Sequence, residues 1–316
     1  MMFWLKRLAA VSAVAFVAAC GGHDDDPAPP PAPLMNIVET AQANPDFSIL
    51  VEAVVAADLA TTLSAPGSVL TVFAPTNAAF AALLTELGLT KAQLLADKPL
   101  LAAVLTYHVL PTRVFKAGVS LGAPITTVEG GYFKIDEVGG ALVITDGRNR
   151  ASNITATDIR ANNGIIHVID KVLLPADKNI VETAQALPDF SILVEAVVAA
   201  NLVDTLSGAG PFTVFAPTNA AFASLLTELG ISKAALLADT ALLTKVLTYH
   251  VVPGLVLKAE VPVGPAITTV QGDSFTVSAA LAITDQRARV SNIVATDVLT
   301  SNGVIHVIDK VILPLP

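Results

Sequence analysis

The sequence predicts an α+β protein made of two copies of one domain. Two observations support this fold class. The stretch TVFAPTNAAFAALLTELG at 71–88 returns almost unchanged at 213–230, and each copy shows helical periodicity first and short β-type runs afterwards. Helices followed by strands favour an α+β fold over alternating βαβ units. We therefore assign residues 35–175 to a first domain and residues 179–314 to a second.

Two further segments precede the first domain. Residues 1–19 combine Lys6 and Arg7 with a short apolar run and small residues before Cys20, which is typical of a secretory signal peptide. The cluster VAAC resembles a bacterial lipobox and implies cleavage before Cys20 and lipid attachment to its thiol. The alternative is ordinary signal cleavage that leaves a free cysteine. Residues 20–34 are rich in Asp and Pro and predict an extended tether.

This leader predicts a protein of the cell envelope that is attached to the membrane by its lipid alone. By analogy with lipoprotein sorting, Gly21 after the cysteine favours the outer membrane of a Gram-negative source, with the domains facing the periplasm or the exterior. After processing, no run of about 20 apolar residues predicts a membrane span. A net charge of −9 disfavours nucleic acid as a partner. A single cysteine excludes an intramolecular disulfide.

Local signals define the helical half of each repeat. Asn36 and Glu39 have the spacing of a capping box, and a longer helix is expected over SILVEAVVAA at 48–57, started near Asp46. Thr76 can cap the next helix, and Gly88 can end it in the left-handed conformation. Two short helices are then expected at 91–96 and 99–105. The matching signals of the second repeat are Asn179, Glu182, Asp189, Thr218 and Gly230.

The β half of each repeat consists of short apolar runs separated by Gly, Asp and Asn. The strands expected in the first repeat are 69–73, 125–128, 132–135, 142–145, 154–159 and 165–174. Asn163-Gly164 and Asn302-Gly303 are tight-turn signals. Only residues 176–178 separate the two repeats, so we expect a stiff tandem with a restricted orientation.

Three sequence blocks in each repeat resemble the fasciclin domain family. They are TVFAPTNAAF, LTYHV and ATDIRANNGIIHVIDKVLLP in the first repeat, with ATDVLTSNGVIHVIDKVILP as the last block of the second. The resemblance covers nearly all of both repeats. It implies two tandem fasciclin-like domains, each a wedge-shaped β-sandwich with several packed helices, and a use in adhesion or matrix interaction.

The resemblance also implies candidate adhesion residues. In animal members, the Tyr-His segment and an Asp-Ile pair before the last block are implicated in integrin-dependent adhesion. The second repeat has Val in place of Ile in that pair, which weakens the transfer there, and only the general idea of adhesion is expected to apply to a bacterial lipoprotein. The residues at these positions are Tyr107, His108, Asp158, Ile159, Tyr249, His250, Asp297 and Val298.

The histidines and tyrosines also have a structural interpretation, which we favour. The matched histidines are His108, His167, His250 and His306. No thiol accompanies them, and His167 and Asp170 lie three apart on an expected strand, so their side chains point to opposite faces and no metal site is predicted. We interpret these histidines as hydrogen-bonded core residues, and Tyr107 and Tyr249 as half-buried packing residues rather than contacts.

No catalytic motif accompanies these residues. The sequence contains no GxSxG, no HExxH, no phosphate-binding glycine loop and no recognisable pair of catalytic carboxylates. We therefore predict that the protein is not an enzyme and uses no cofactor. A defined apolar pocket with convergent polar groups would favour an enzyme or small-ligand binder instead.

A repeated pair of arginines is the remaining polar feature. Arg148 with Arg150, and Arg287 with Arg289, lie between expected strands of an acidic protein. Arginine forks suit carboxylates and sulfates, so these four residues are candidate anion contacts for an acidic glycan. The alternative, which we favour, is local pairing with Asp146, Asp285 or nearby acids.

The sequence thus predicts a lipid-anchored surface protein that binds surface or matrix proteins or glycans. The alternative is a structural or stress-related envelope protein, in which the tandem spaces or stiffens surface components without a specific ligand.

Overall fold

The computed structural model describes residues 33–316, and residues 34–316 form one compact unit. The predictions about the signal peptide, Cys20 and nearly all of the tether lie outside the described residues. Within those residues, no helix is long and apolar enough to cross a membrane.

The two repeats fold into domains with the same order of elements. The helices of the first domain are α1 (Ile37–Gln42), α2 (Ser48–Ala56), α3 (Ala60–Leu63), α4 (Asn77–Leu87), α5 (Lys91–Ala96) and α6 (Lys98–Tyr107). Its strands are β1 (Leu70–Pro75), β2 (Val109–Leu110), β3 (Pro124–Thr126), β4 (Tyr132–Val138), β5 (Ala141–Thr145), β6 (Ala151–Ala161) and β7 (Gly164–Ile169).

The second domain repeats this order after a short connection. Its helices are α7 (Ile180–Gln185), α8 (Ser191–Ala199), α9 (Val203–Ser207), α10 (Asn219–Leu229), α11 (Lys233–Ala238) and α12 (Thr240–Tyr249). Its strands are β8 (Phe212–Pro217), β9 (Val251–Pro253), β10 (Ala266–Thr268), β11 (Ser274–Val277), β12 (Ala282–Thr284), β13 (Val290–Thr300) and β14 (Gly303–Ile308). The predicted α+β class with two tandem domains is confirmed.

Each domain contains one seven-stranded sheet. In the first domain the strand order is β2-β1-β7-β6-β5-β4-β3, and only the β1–β7 pair is parallel. The long strand β6 belongs to both halves of the sheet and shifts register between Ile154 and Ile159, which is the mark of a β-bulge. Phe73 and Ile169 from one half pack with Phe133 and Ile144 from the other. The two halves therefore face each other across a core, as in a sandwich.

A second core lies between the helices and the sheet. In the first domain it includes Leu50, Phe80, Leu101 and Leu105, and the second domain has a matching cluster around Leu193, Phe222, Leu243 and Leu247. Each domain therefore buries its own apolar residues on both sides of the sheet.

The local helix signals behave as predicted. Asn36 and Glu39 form a capping box, in which the Glu39 backbone N–H donates to Asn36 Oδ1 at 2.9 Å. Thr76 caps α4, and Gly88 ends it with a positive φ of 64°. The second domain has the same caps at Asn179, Thr218 and Gly230. Hydrogen bonds within three or four residues are enough to define these ends.

Helix α2 covers Ser48–Ala56, as the run SILVEAVVAA predicts, and Asp46 lies in a separate 3₁₀ turn at Pro45–Phe47 just before it. A residue distant in sequence supplies its cap. The backbone N–H of Ile49 donates to Asn77 Oδ1 at 2.9 Å, and Asn77 Nδ2 donates to the carbonyl of Pro45. The amide of α4 thus joins two helices. Asn219 does the same in the second domain.

The expected strand at 165–174 is also shorter than predicted. It ends at Ile169, and Val172, Leu173 and Leu174 continue as a buried segment outside the sheet. Asp170 leaves the strand because its carboxylate accepts the backbone N–H and the side-chain amide of Asn153. We call residues 172–174, and their counterparts 311–313, the closing segments.

Candidate functional site

The Tyr-His segment lies in the interior of each domain. Tyr107 and Tyr249 are each 0% exposed, and His108 and His250 are 1% and 2% exposed. The Tyr107 hydroxyl donates to the carbonyl of Tyr132 at 2.6 Å, and Tyr249 donates to Ser274. An adhesion role for these side chains can therefore act only through the structure they support, because a partner cannot touch them on the folded surface.

His108 connects helix α6 to the closing segment. Its Nδ1 lies 2.7 Å from the carbonyl of Val104, and the backbone N–H of Leu173 donates to Nε2 at 2.9 Å. The ring is therefore a neutral tautomer with both nitrogens engaged. Burial lowers the pKa of His108 to about 4. His250 makes the same bonds to Val246 and Ile312, and burial lowers its pKa to about 4 as well.

The second pair of histidines supports the bulge of the long strand. His167 Nε2 lies 2.9 Å from the carbonyl of Val114, and its Nδ1 accepts the backbone N–H of Asp158 at 3.3 Å. His306 repeats this arrangement with Val256 and Asp297. Burial lowers the pKa of both rings.

The Asp-Ile pair lies at this bulge. Asp158 and Asp297 adopt left-handed backbone conformations, with φ of 61° and 60°. Each carboxylate accepts the backbone N–H of a lysine, Lys116 or Lys258, through Oδ1. Ile159 and Val298 are half-buried against the helical cores. The aspartates therefore fix the local course of the chain. The surroundings of the second carboxylate oxygen, Oδ2, differ between the two domains.

Two of the candidate anion contacts form internal ion pairs. Arg150 Nη2 lies 2.8 Å from Asp146 Oδ2 and donates to the carbonyl of Val172, while Nη1 binds Glu86. Asp146 is only 1% exposed. This network fastens the closing segment to the sheet.

The second domain has a looser version of the network. Arg289 binds Glu228 at 2.8 Å and the carbonyl of Val311, but its distance to Asp285 is 3.6 Å. Arg150 and Arg289 thus already have anionic partners inside the protein.

The other two arginines occupy different environments. Arg148 Nη2 lies 3.2 Å from Asp177 in the connection between the domains, and its Nε is buried without a hydrogen-bond partner in the described part of the chain. Arg287 Nε donates to the carbonyl of Pro314. Both Arg148 and Arg150 line a cleft of about 750 Å³ between the domains. Lys134, Asp177, Lys178 and Asp297 also line it, so the cleft carries both signs of charge.

An ion pair joins the two domains beside this cleft. Lys134 Nζ lies 2.8 Å from Asp297 Oδ2 and 3.0 Å from Asp136. The Lys134 side chain is 13% exposed and that of Asp297 only 3%. Burial works against the ammonium, but its two carboxylate partners outweigh this and raise the pKa of Lys134. The Lys134 ammonium therefore stays charged near neutral pH.

Hydrogen bonds extend the contact between the domains. The Tyr132 hydroxyl lies 3.0 Å from the carbonyl of Thr300 and also within hydrogen-bond distance of that of Gly303. Asn149 forms a reciprocal pair with Leu299: its Nδ2 donates to the carbonyl, and its Oδ1 accepts the backbone N–H. Burial raises the pKa of Tyr132 to about 12, so its hydroxyl stays a donor.

Apolar packing completes the contact. Leu257, Leu299 and Val304 of the second domain are at most 2% exposed, and the ring of Tyr132 packs against them. A Cβ at Gly122 would lie 2.9 Å from that of Ala259, so the backbones also come close. We call the second domain's side of this contact the docking surface. It consists of Leu255, Leu257, Asp297, Leu299, Thr300, Gly303 and Val304.

Sequence reasoning missed the residues that fill the docking surface. Tyr132, Lys134 and Asn149 are all contributed by the first repeat. The second repeat has Ser274, Thr276 and Ala288 in their places, and the paired registers of β3 with β4 and of β10 with β11 confirm the first two matches. A comparison of the repeats for positions where they differ, rather than where they agree, would have found them.

The described residues contain no group of three or more His, Cys, Asp or Glu side chains that could hold a metal ion.

Comparison with known proteins gives consistent matches. A family model described as "Fasciclin domain" matches residues 45–175 and 188–314. Protein sll1483 of Synechocystis sp. is 44% identical over 150 residues, which are 46% of this chain and 79% of that protein. Transforming growth factor-beta-induced protein ig-h3 of Sus scrofa is 27% identical over 319 residues, covering 99% of this chain and 45% of that protein.

Two further matches have lower coverage or similarity. Human periostin is 28% identical over 79% of this chain and 28% of its own length. The chain therefore spans less than half the length of both animal relatives. A solved FAS1 domain pair from the insect cell adhesion molecule fasciclin I is 19% identical, with a TM-score of 0.43 over 87% of this chain and 95% of that chain.

Proposed function

The chain belongs to the fasciclin domain family, and from this we propose that it is a lipid-anchored adhesion or matrix-interaction protein of the cell envelope, which binds extracellular proteins or glycans. Fasciclin domains are linked to adhesion and matrix interaction in related proteins. The observation that carries the proposal is the docking surface. Here one fasciclin domain holds another folded domain through a specific set of ionic, hydrogen-bonding and apolar contacts.

The candidate adhesion residues support this function from inside the fold. Hydrogen bonds of Tyr107 and His108 connect helix α6 to the sheet and to the closing segment. Asp158 stabilises the β-bulge by accepting the backbone N–H of Lys116. In the second domain, Asp297 uses its second oxygen for Lys134. We therefore place the contact with an external partner on the first domain, where the matching carboxylate has no such ion pair among the described residues.

The lipid anchor rests on the sequence around Cys20. Its chemistry predicts that Cys20→Ser moves the protein from the membrane fraction to the soluble fraction and abolishes incorporation of labelled palmitate. A conservative change outside the lipobox, Ser12→Ala, is the control. Unchanged fractionation of the Cys20 variant would remove the anchor from the proposal.

Adhesion is tested in cells that lack the protein. We expect weaker attachment to surfaces coated with matrix proteins or polysaccharides and weaker aggregation, both restored by the wild-type gene. Equal attachment and aggregation with and without the protein would contradict the proposed function.

The interdomain ion pair supports a second candidate, a stiff spacer in the envelope without a specific ligand. Four contacts around Lys134, Tyr132 and Asn149 restrict the orientation of the domains. A spacer needs this stiffness but no free binding surface. The spacer would be favoured if a tandem that binds no ligand rescues an envelope defect and the Lys134→Thr variant fails to rescue it.

No catalytic step is part of this proposal. Both nitrogens of His108 and His250 are engaged in the core, and their lowered pKa values keep them neutral. A general base must reach the proton that it abstracts.

A further inference from the structure

The docking surface of the second domain has an uncovered counterpart on the first. The segments HVLPTRVFK and HVVPGLVLK match in the two repeats, as do TDIRANNG and TDVLTSNG. By this match, Arg113 replaces Leu255, Phe115 replaces Leu257 and Arg160 replaces Leu299. The leucines are at least partly buried, whereas the three residues of the first domain are exposed. The same place in the fold is thus apolar in one domain and basic in the other.

The basic side chains form a continuous strip. Arg113 Nη2 lies 3.5 Å from the carbonyl of Asn162, and the guanidinium of Arg160 lies 5.6 Å from the ring centre of Phe115. The backbone N–H of Lys116 donates to Asp158 Oδ1 at 2.8 Å. Two neighbouring chain segments therefore bring these residues side by side. We call Arg113, Phe115, Lys116 and Arg160 the basic surface.

The cations of the basic surface have no ion-pair partner among residues 33–316. Most other cations discussed above, such as Arg150 and Lys134, pair with carboxylates. Three cations lie here beside one carboxylate, that of Asp158, in a chain of net charge −9, so the basic surface carries a local excess of positive charge. Such an excess attracts anions.

The geometry disfavours another fasciclin domain as the occupant. The docking surface receives the Tyr132 ring in an apolar opening, but in the first domain Ile165, which matches Val304, is only 2% exposed without any neighbouring domain. The second domain also lacks the groups that the first domain inserts into the docking surface. The second domain carries Ser274, Thr276 and Ala288 where the first carries the aromatic, ammonium and amide groups. The second domain of another copy therefore cannot make this contact with the basic surface.

We propose that the basic surface binds an acidic polysaccharide that carries carboxylate or sulfate groups, and this inference rests on the proposed adhesion function. An arginine fork binds a carboxylate or sulfate through two parallel hydrogen bonds. The Arg160 guanidinium lies 5.6 Å from the centre of the Phe115 ring, a contact that favours its position over the ring. Arg113 and Phe115 are two residues apart on a nearly extended segment, so their side chains lie on the same face, with Arg160 over the Phe115 ring. An open strip of this kind accepts successive charges of a polymer.

The test uses residues 34–316, which form one compact unit with both cores. Binding is measured by biolayer interferometry to immobilised alginate, which carries carboxylates, to dextran sulfate and to neutral dextran. We expect binding to at least one acidic polymer and none to dextran. The affinity should fall as salt rises from about 20 to about 150 mM, because the screening length shortens to about 8 Å.

Variants locate the binding on the surface. Arg113→Ala with Arg160→Ala should reduce affinity at least about tenfold, because two charge-assisted contacts are lost. The matched control is Lys171→Ala with Lys310→Ala, which removes the same charge from exposed lysines at equivalent positions of the two repeats. The control should bind like the wild type. Arg160→Lys keeps the charge but loses the fork, so its affinity should lie between the two.

Three outcomes would overturn the inference. They are absence of binding to both acidic polymers, an equal loss in the lysine control, and a dimer in sedimentation velocity that the arginine variant disperses, which would assign the surface to a second copy. Failure here is distinguishable from failure of adhesion. If cells lacking the protein attach less well but the arginine variant restores attachment fully, adhesion stands and the basic surface is not its site.

Discussion

Lys134 of the first domain and Asp297 of the second lie 2.8 Å apart, although 163 residues separate them in sequence. Asp297 has an exact counterpart in Asp158, at the same bulge and with the same backbone conformation. Only Asp297 is covered by another domain. Two matching aspartates therefore have different roles in one chain, because only one of them is covered by the neighbouring domain.

The interdomain ion pair should contribute strongly to stability. Lys134→Thr introduces the residue that the second repeat carries at this position, so the strand itself tolerates it. We expect the free energy of unfolding to fall by about 2 to 4 kcal/mol, because a buried carboxylate loses its partner. Urea denaturation measures the change. The control is Lys98→Ala, whose exposed pair with Asp58 should contribute less than about 1 kcal/mol. Equal losses in the two variants would contradict this assignment.

The docking surface should bind the first domain even when the connection is cut. Residues 34–175 and 179–316, produced separately, each keep a core of their own. The apolar side chains of Leu257, Leu299 and Val304 would then be exposed, so we expect the two fragments to associate when mixed. Sedimentation velocity measures the complex.

Tyr132→Ser in the first fragment supplies the variant for this experiment. It removes the ring from the apolar opening and should abolish the association. Leu121→Ser, at an exposed apolar residue of the same fragment, is the control. Association that survives the Tyr132 change would show that the fragments meet through another surface.

The two arginine networks should differ in strength. Arg150→Ala leaves the buried carboxylate of Asp146 without its ion pair at 2.8 Å, and we expect a loss of about 3 kcal/mol. Arg289→Ala removes a pair at 3.6 Å and should cost about 1 to 2 kcal/mol. Each variant is the matched control of the other. Thermal and urea unfolding measure both, and a greater loss for Arg289→Ala would refute the ranking.

Acid should destabilise both domains through their buried histidines. The pKa values of His108 and His250 are lowered to about 4, below their ordinary value of 6.5. The unfolded chain therefore binds more protons than the folded one between these values. The stabilisation of the folded state by the neutral rings is therefore present in full above pH 6.5, and it is lost as the pH falls towards 4. At about 1.4 kcal/mol per pKa unit, the loss is about 3 kcal/mol for each ring.

A variant separates this effect from the titration of carboxylates. His108→Leu should be less stable at pH 7, because the backbone N–H of Leu173 loses its acceptor. Its free energy of unfolding should fall less steeply than that of the wild type between pH 6.5 and 4. Urea titrations across this range measure both slopes, and identical slopes would mean that His108 does not control the acid response.

Much of the fold was predictable because its signals are local. The capping box of Asn36 and Glu39 and the ends of α4 at Thr76 and Gly88 depend on bonds that span three or four residues. The first turn of α2 also depends on a contact that is not local, because Asn77, which accepts the backbone N–H of Ile49, lies 28 residues away. No local pattern predicts a hydrogen bond of that kind.

The site was less predictable than the fold. The motif residues Tyr107 and His108 were found readily, yet their side chains lie in the interior. The arginine pairs were recognised as polar features, and the structure supplies the carboxylates and carbonyls that they bind. The docking surface was not predicted because its members come from two separate segments of the second repeat, and the residues that fill it belong to the first repeat.

The sequence by itself determined that the chain contains two α+β repeats, where their capped helices begin and end, and which residue types repeat. These features follow from periodicity and short-range hydrogen bonding, whereas the fasciclin assignment came from the resemblance of the sequence blocks to that family. Only the tertiary structure decided which of the repeated residues are buried, paired or available. Asp158 and Asp297 show the reason. The first domain packs onto Asp297 through Lys134, which is far from it in the chain. Asp158 instead lies beside the exposed basic surface.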